Sequence, residues 1–281
     1  MHPILIRFGP VTLYSYGLML VIAFLATIGL ARQATRHMPT ERAVLSCDEI
    51  VDFASWSLLG GILGGRLFYV LLQWEFFREI PSEIPAIWHG GLVWYGGFAG
   101  GVFAAWLYVR AKPISMLRAV DQMIPFATLG HAIGRVGCFL NGCCYGRPTQ
   151  AWWGVVFPGH IDRVIPVQVI EAILLTVLCA VLWRVQSMTT SPARAEPGAG
   201  GWRQLVTPAG GVFACYLVGY GLLRFGLEFL RGDQPVWLAG LTLQQVISLV
   251  LIAVGIKLLI RQAGGRLAQP RPAVQPSKVR S

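Results

Sequence analysis

Apolar residues gather along the chain into seven stretches, each close to the roughly 20 residues a helix needs to cross a bilayer. They cover 13–31, 50–72, 91–109, 117–134, 167–183, 208–229 and 241–260. The pattern predicts an all-α polytopic membrane protein, with seven transmembrane helices around a lipid-accessible polar cavity. The first, third and seventh stretches are uncharged through their centres, whereas the others contain Arg66, Asp121, Glu171 and the pair Arg224 and Glu228. A charge within a span costs about 2.5 kcal/mol or more unless it is paired or faces water, so these positions draw attention to function.

The segments between the stretches differ from side to side. Residues 73–89, 138–166 and 231–240 are rich in Gly, Pro and aromatics and are expected on the outer side. Trp74, Trp88, Trp94, Trp152, Trp153 and Trp237 lie near these ends, where indole rings favour the interface. Residues 187–201 read as a cytoplasmic Ser/Thr/Pro/Ala/Gly linker and 263–281 as a basic, disordered cytoplasmic tail, which leaves 1–262 as the membrane domain.

The formal net charge of +10 raises the question of nucleic acid, and the distribution of the charge answers it. Arg32, Arg36 and Arg42 follow the first stretch, Arg110, Lys112 and Arg118 the third, and Arg184, Arg194 and Arg203 the fifth. Lys257, Arg261, Arg266, Arg271, Lys278 and Arg280 close the chain. Basic residues in alternate loops are the cytoplasmic bias that orients spans, which puts the N-terminus outside and the C-terminus in the cytoplasm. No nucleic-acid partner is needed to explain them. With 55% hydrophobic and only 13% charged residues, the chain falls well below the roughly 25% charged of a soluble domain. Its opening residues lack the basic region and small-residue cleavage site of a signal peptide, so the first helix is expected to stay in the membrane.

Three groups of residues could carry chemistry. In GYGLLRFGLEFLRGD, Tyr220, Arg224, Glu228 and Arg231 share one helical face. They form either a stripe lining a cavity or a structural Arg224–Glu228 pair stitching the bundle. The run 130–148, GHAIGRVGCFLNGCCYGRP, has glycines at 130, 134, 137, 142 and 146 and suits a helix that breaks open around a ligand. Arg135 within it has no acidic residue between Asp121 and Asp162 and could grip a phosphate bidentately or snorkel to the headgroups. The glycine-dense GGLVWYGGFAGG at 90–101 would bring Tyr95 against neighbouring helices, or merely pack tightly. His89 and His131 are secondary candidate bases. Cys138, Cys143 and Cys144 lack zinc-like spacing, so a disulfide or simple packing is expected before a reactive thiol, and no metal or other cofactor is assigned.

The motifs SYGLM (15–19), GGRLFYV (64–70), GGLVWYGG (90–97), GRVGCFLNGCCYG (134–146), IPVQVIE (165–171) and GYGLLRFGLEFLR (219–231) together resemble the bacterial prolipoprotein diacylglyceryl transferases over nearly the whole chain. The resemblance implies a seven-span inner-membrane enzyme that moves the diacylglyceryl group of phosphatidylglycerol onto the lipobox cysteine of a prolipoprotein signal peptide, forming a thioether and releasing glycerol phosphate. It implies a phosphate-binding role for Arg135, with Asn141, Gly146 and Arg66 also on the phosphatidylglycerol side, and catalytic roles for Arg224, Glu228, Tyr16 and Tyr220; Tyr95 is taken as catalytic with them, and Tyr95 activated by a nearby Arg, His89, His131 or Glu228 are the contenders for the base. Tyr95, Cys138 and Cys143 stand where the family usually has His, Asn and Glu. The role at 95 therefore cannot be copied unchanged, since a phenol titrating near pH 10 is a poor base at neutral pH. A small-solute transporter, a non-catalytic lipid-binding paralogue and a thiol redox protein remain as readings from other classes.

Overall fold

The computed structural model of the chain describes residues 3–8, 11–39, 43–158, 161–190, 206, 208–232 and 234–267. Its helices are α1 (Ser15–Arg36), α2 (Cys47–Leu72), the short α3 (Trp74–Glu79), α4 (Trp94–Arg110), α5 (Met116–Asn141), α6 (Val167–Thr190), α7 (Gly211–Glu228) and α8 (Leu243–Leu267). The long helices fall on the seven apolar stretches. Five of them, α1, α2, α5, α6 and α8, are long and apolar enough to cross a membrane, whereas α4 and α7 are 17 and 18 residues long. Outward faces carry Leu25, Leu63, Leu67 and Phe98, all more than half exposed, a surface that lipid tolerates and water does not.

Two β-hairpins among the described residues depart from the helical pattern at one end of the bundle. Strands β1 (Ile4–Phe8) and β2 (Val11–Tyr14) form an antiparallel hairpin ahead of α1, and β3 (Val236–Leu238) pairs with β4 (Leu241–Thr242) between α7 and α8. Both are short alternating segments that the helical reading passed over. The loops 73–93 and 142–166 lie at this same end, and so do the six tryptophans, with Trp88, Trp94 and Trp152 the most exposed at 74%, 71% and 87%. Helix α6 runs on to Thr190 and α8 to Leu267, past the points where linker and tail were expected to begin; the rest of both segments lies outside the described residues.

Small residues set the closest helix contact. A Cβ on Gly64 of α2 would stand 2.4 Å from the Gly96 carbonyl oxygen of α4, and one on Gly100 would stand 2.3 Å from that of Gly60. Backbones meet directly here, as apolar helices in lipid do where small residues let them. The glycines of 90–101 thus pack α4 on α2, and Tyr95 beside them is left half exposed.

Helix α5 is the hub, in contact with α1, α6 and α7. Pro125 inside it denies the Asp121 carbonyl its helical partner. Gln186 of α6, 4% exposed, donates to that carbonyl at 2.8 Å. The Asp121 carboxylate accepts from the Gly210 and Phe213 amides at 2.6 and 2.7 Å, capping the start of α7 from a neighbouring helix. An acid that looked functional in the sequence is thereby engaged structurally. Gln122 binds the Val44 and Leu45 amides, the Leu45 carbonyl and Thr35, fastening the α1–α2 connection.

Candidate active site

The loop-rich end of α5, α6 and α7 encloses the polar residues. Helix α5 was expected to stop at residue 134 and break open within its glycine run. It continues to Asn141, and the chain leaves the helix at Gly142, whose φ of 78° is the left-handed conformation that ends helices. Two of the earlier glycines serve packing instead: a Cβ on Gly130 would meet Thr27 Oγ1 at 2.4 Å, and one on Gly137 would meet the Tyr16 ring at 3.3 Å, whereas Gly134 faces open space. Tyr16, in the first turn of α1, is in this way laid against α5 two residues past Arg135.

Arg135 lacks an acid nearby in sequence but not in space. Its Nη2 lies 3.0 Å from Glu171 Oε1 of α6, with the two side chains 18% and 2% exposed. The atoms form an ion pair without hydrogen-bond alignment, and Arg135 Nε is buried with no partner. His131, one turn earlier, places Nε2 4.0 Å from the same carboxylate oxygen and lies against the Tyr220 ring, 5.6 Å between centroids. Tyr220 itself faces the Arg135 guanidinium.

The second pair is on α7. Arg224 Nη2 lies 3.1 Å from Glu228 Oε2, with side chains 8% and 0% exposed. Thr242 donates to Glu228 Oε1 at 2.9 Å, and Thr242 with Gln245 forms the capping arrangement that starts α8. Arg224 Nη1 is buried without a partner. The two pairs share one environment, since Glu171 interacts electrostatically with Arg135, Arg224 and Arg231. Arg231 lies past the end of α7, in the turn that follows the helix. Arg135 and Arg224 thus each pair with a buried carboxylate, and Glu171 interacts with both guanidiniums. Arg135 Nε and Arg224 Nη1, buried donors without a partner, are costly until an acceptor meets them.

The remaining candidates sit around this centre or away from it. A Cβ on Gly146 would stand 2.5 Å from the Leu230 carbonyl oxygen and 2.6 Å from Val167, so only glycine lets the loop cross between α6 and α7. Asn141, in the last turn of α5, hydrogen-bonds the Cys143 thiol. Arg66 is buried in α2 and donates to the carbonyls of Glu83, Ile84, Gly90 and Gly91, which commits its guanidinium to the loop before α4. Tyr95 packs edge-on against Trp94, 52% exposed. His89 pairs with Glu83 on that loop.

Cys138, Cys143 and Cys144 are free thiols whose Sγ atoms all lie within 4.8 Å of one another. The cluster was expected to be a disulfide or packing; the structure presents a group with the spacing and softness to hold a thiophilic metal ion. Hydrogen bonding from Cys138 holds the Cys144 thiol down, to about 5, whereas burial pushes Cys143 up. Glu171 is the site residue that sequence reasoning set aside. Its signal was present, as the one acid in residues 167–183 and the last residue of IPVQVIE.

Helices that turn apolar side chains outward while holding two arginine–carboxylate pairs near one end define a multi-pass membrane protein with a cluster of paired charges between its helices. The chain belongs to the prolipoprotein diacylglyceryl transferase family, whose model matches residues 3–261. It is 33% identical to the phosphatidylglycerol–prolipoprotein diacylglyceryl transferase of Synechococcus elongatus, over 97% of this chain and 92% of that protein. The proteins of the same name from Nitrosomonas europaea and Aromatoleum aromaticum are each 35% identical over 92% of this chain, covering 88% and 94% of their own lengths.

Proposed function

We propose that the protein transfers the diacylglyceryl group of phosphatidylglycerol to the lipobox cysteine thiol of prolipoproteins, forming a thioether and releasing glycerol phosphate. The observation that carries this reading is the pair of buried donors, Arg135 Nε and Arg224 Nη1, that no described group meets. A phosphodiester supplies the acceptors for both. In the reaction a thiolate displaces the phosphate from a glyceryl carbon, and negative charge grows on the departing oxygen. Two guanidiniums fixed in a low dielectric stabilise that charge without reorganising.

Each side chain then has a stated part. Arg135 and Arg224 clamp the phosphate, oriented by Glu171 and by Glu228 with Thr242. Tyr16 and Tyr220 line the chamber, Asn141 and Gly146 shape its rim, Arg66 steadies the loop above α4, and Tyr95 faces the lipid approach. All seven long helices cross the membrane, α4 and α7 included. The loop-rich end is the outer side of the inner membrane, with the C-terminus in the cytoplasm, a reading supported by the basic residues in alternate loops.

The purified protein, incubated with phosphatidylglycerol and a lipobox peptide, is expected to add a diacylglyceryl mass to the peptide cysteine and to release glycerol phosphate. Solute flux across vesicles with no covalent product, or lipid binding with no turnover, would refute the assignment.

A further inference from the structure

The three-thiol cluster is the feature the proposed reaction leaves unused. We propose that Cys138, Cys143 and Cys144 form a tris-thiolate zinc site whose fourth position takes the sulfur of the incoming substrate cysteine. The proposal rests on the transfer reaction set out above.

The geometry is the first support. Tetrahedral zinc with bonds of about 2.3 Å holds its sulfurs roughly 3.8 Å apart, so the three Sγ atoms, within 4.8 Å of one another, need close by only about 1 Å to bind it. The backbone brings them together by a specific path. Cys138 comes from the last turn of α5, and Gly142 reverses the chain with φ of 78°. The Cys143 amide donates to the Cys138 carbonyl at 3.1 Å, and the Cys143 carbonyl is held by Gln168, itself 1% exposed. Cys144 adopts φ of 64°, one of two non-glycine residues with positive φ among those described. A cysteine held in that conformation is strained, and strain of this kind is retained where a side chain must be aimed.

The surroundings are the second support. Arg135 and Arg231 both interact electrostatically with Cys144, and Tyr16 with all three cysteines. Zinc bound by three thiolates carries a net negative charge, which these guanidiniums favour. The cluster also borders the chamber in which Arg135 would hold the phosphate. Three protein ligands are the pattern of a catalytic zinc, which keeps its fourth position for water or substrate.

The chemistry then closes without a side-chain base at position 95. The substrate thiol displaces the zinc-bound water and loses its proton to solvent, because a thiol on zinc is deprotonated outright. The bound sulfur attacks the glyceryl carbon and the carbon–oxygen bond breaks. The electron pair leaves on the phosphate oxygen held by Arg135 and Arg224.

The test uses the full-length protein in detergent, reduced and loaded with zinc. About one tightly held zinc per chain is expected, lost in C138S, C143S and C144S and kept in C47S and C215S. Zinc should shield the same three thiols of the unaltered protein from alkylation, a readout that survives if a variant misfolds. Chelation should abolish lipidation of the peptide, and zinc should restore it. No stoichiometric zinc, equal zinc in the triple serine variant, or a disulfide joining two of the three in the native protein would overturn the site. Transfer undiminished by chelation would overturn its catalytic part. Zinc bound through the three thiols with no transfer under any loading would overturn the underlying reaction and leave the site standing.

Discussion

Replacing Arg135 with lysine separates its two jobs. In the native chain Nη2 meets Glu171 at 3.0 Å while Nε is buried and unpartnered, the donor that the proposed clamp turns to the phosphate. Lysine keeps the charge that Glu171 needs, so the protein should fold and melt near the native temperature. Its single ammonium cannot pair with the carboxylate and grip a phosphate at separate points, as the planar fork does. The loss is one charge-assisted hydrogen bond, about 1.5 to 3 kcal/mol, equivalent to a fall in kcat/KM of roughly 10- to 150-fold. Mass-spectrometric rates of diacylglyceryl addition to a lipobox peptide, at graded phosphatidylglycerol, measure it. The double variant Arg135→Lys with Glu171→Gln should recover part of the loss, because the ammonium is no longer committed to a carboxylate. Native kcat/KM in Arg135→Lys, with unchanged melting, would refute the clamp.

Further outcomes follow from other parts of the fold. Gly64→Ala drives a methyl to 2.4 Å from the Gly96 carbonyl oxygen and must separate α2 from α4; a loss of about 1 to 3 kcal/mol is expected on thermal unfolding in detergent. Gly61→Ala, 3.4 Å from the Gly97 oxygen, should be far milder, and equal effects would count against the packing argument. Arg66→Gln strips donors from the carbonyls of residues 83, 84, 90 and 91. It should open this loop to protease and lower stability by at least about 2 kcal/mol. Without metal, the Cys144 thiol, held down to about 5, is thiolate between about pH 6 and 8, so its alkylation rate should be flat across that window. Cys143, pushed up by burial, should instead react faster with each rise in pH; parallel profiles would contradict the hydrogen-bonded cluster.

The residue pattern alone determined that the chain is built of long apolar helices, where they lie, and which motifs tie it to its family. Bilayer thickness and side-chain hydropathy act locally, and both are readable one stretch at a time. Only the tertiary structure decided what the buried charges do, because a charge is defined by its partner and partners come from other helices. Asp121 became a cap for α7 and Arg66 a clasp for a loop, while Arg135 found its carboxylate on α6, 36 positions along the chain at Glu171. Gly130 and Gly137 read as part of a break but act as a surface for α1, since in lipid a missing side chain is as much an invitation to a neighbouring helix as a release of the backbone. Likewise the spacing of three cysteines revealed no metal pattern, and the left-handed turns at Gly142 and Cys144, which local composition does not specify, folded their sulfurs into one cluster.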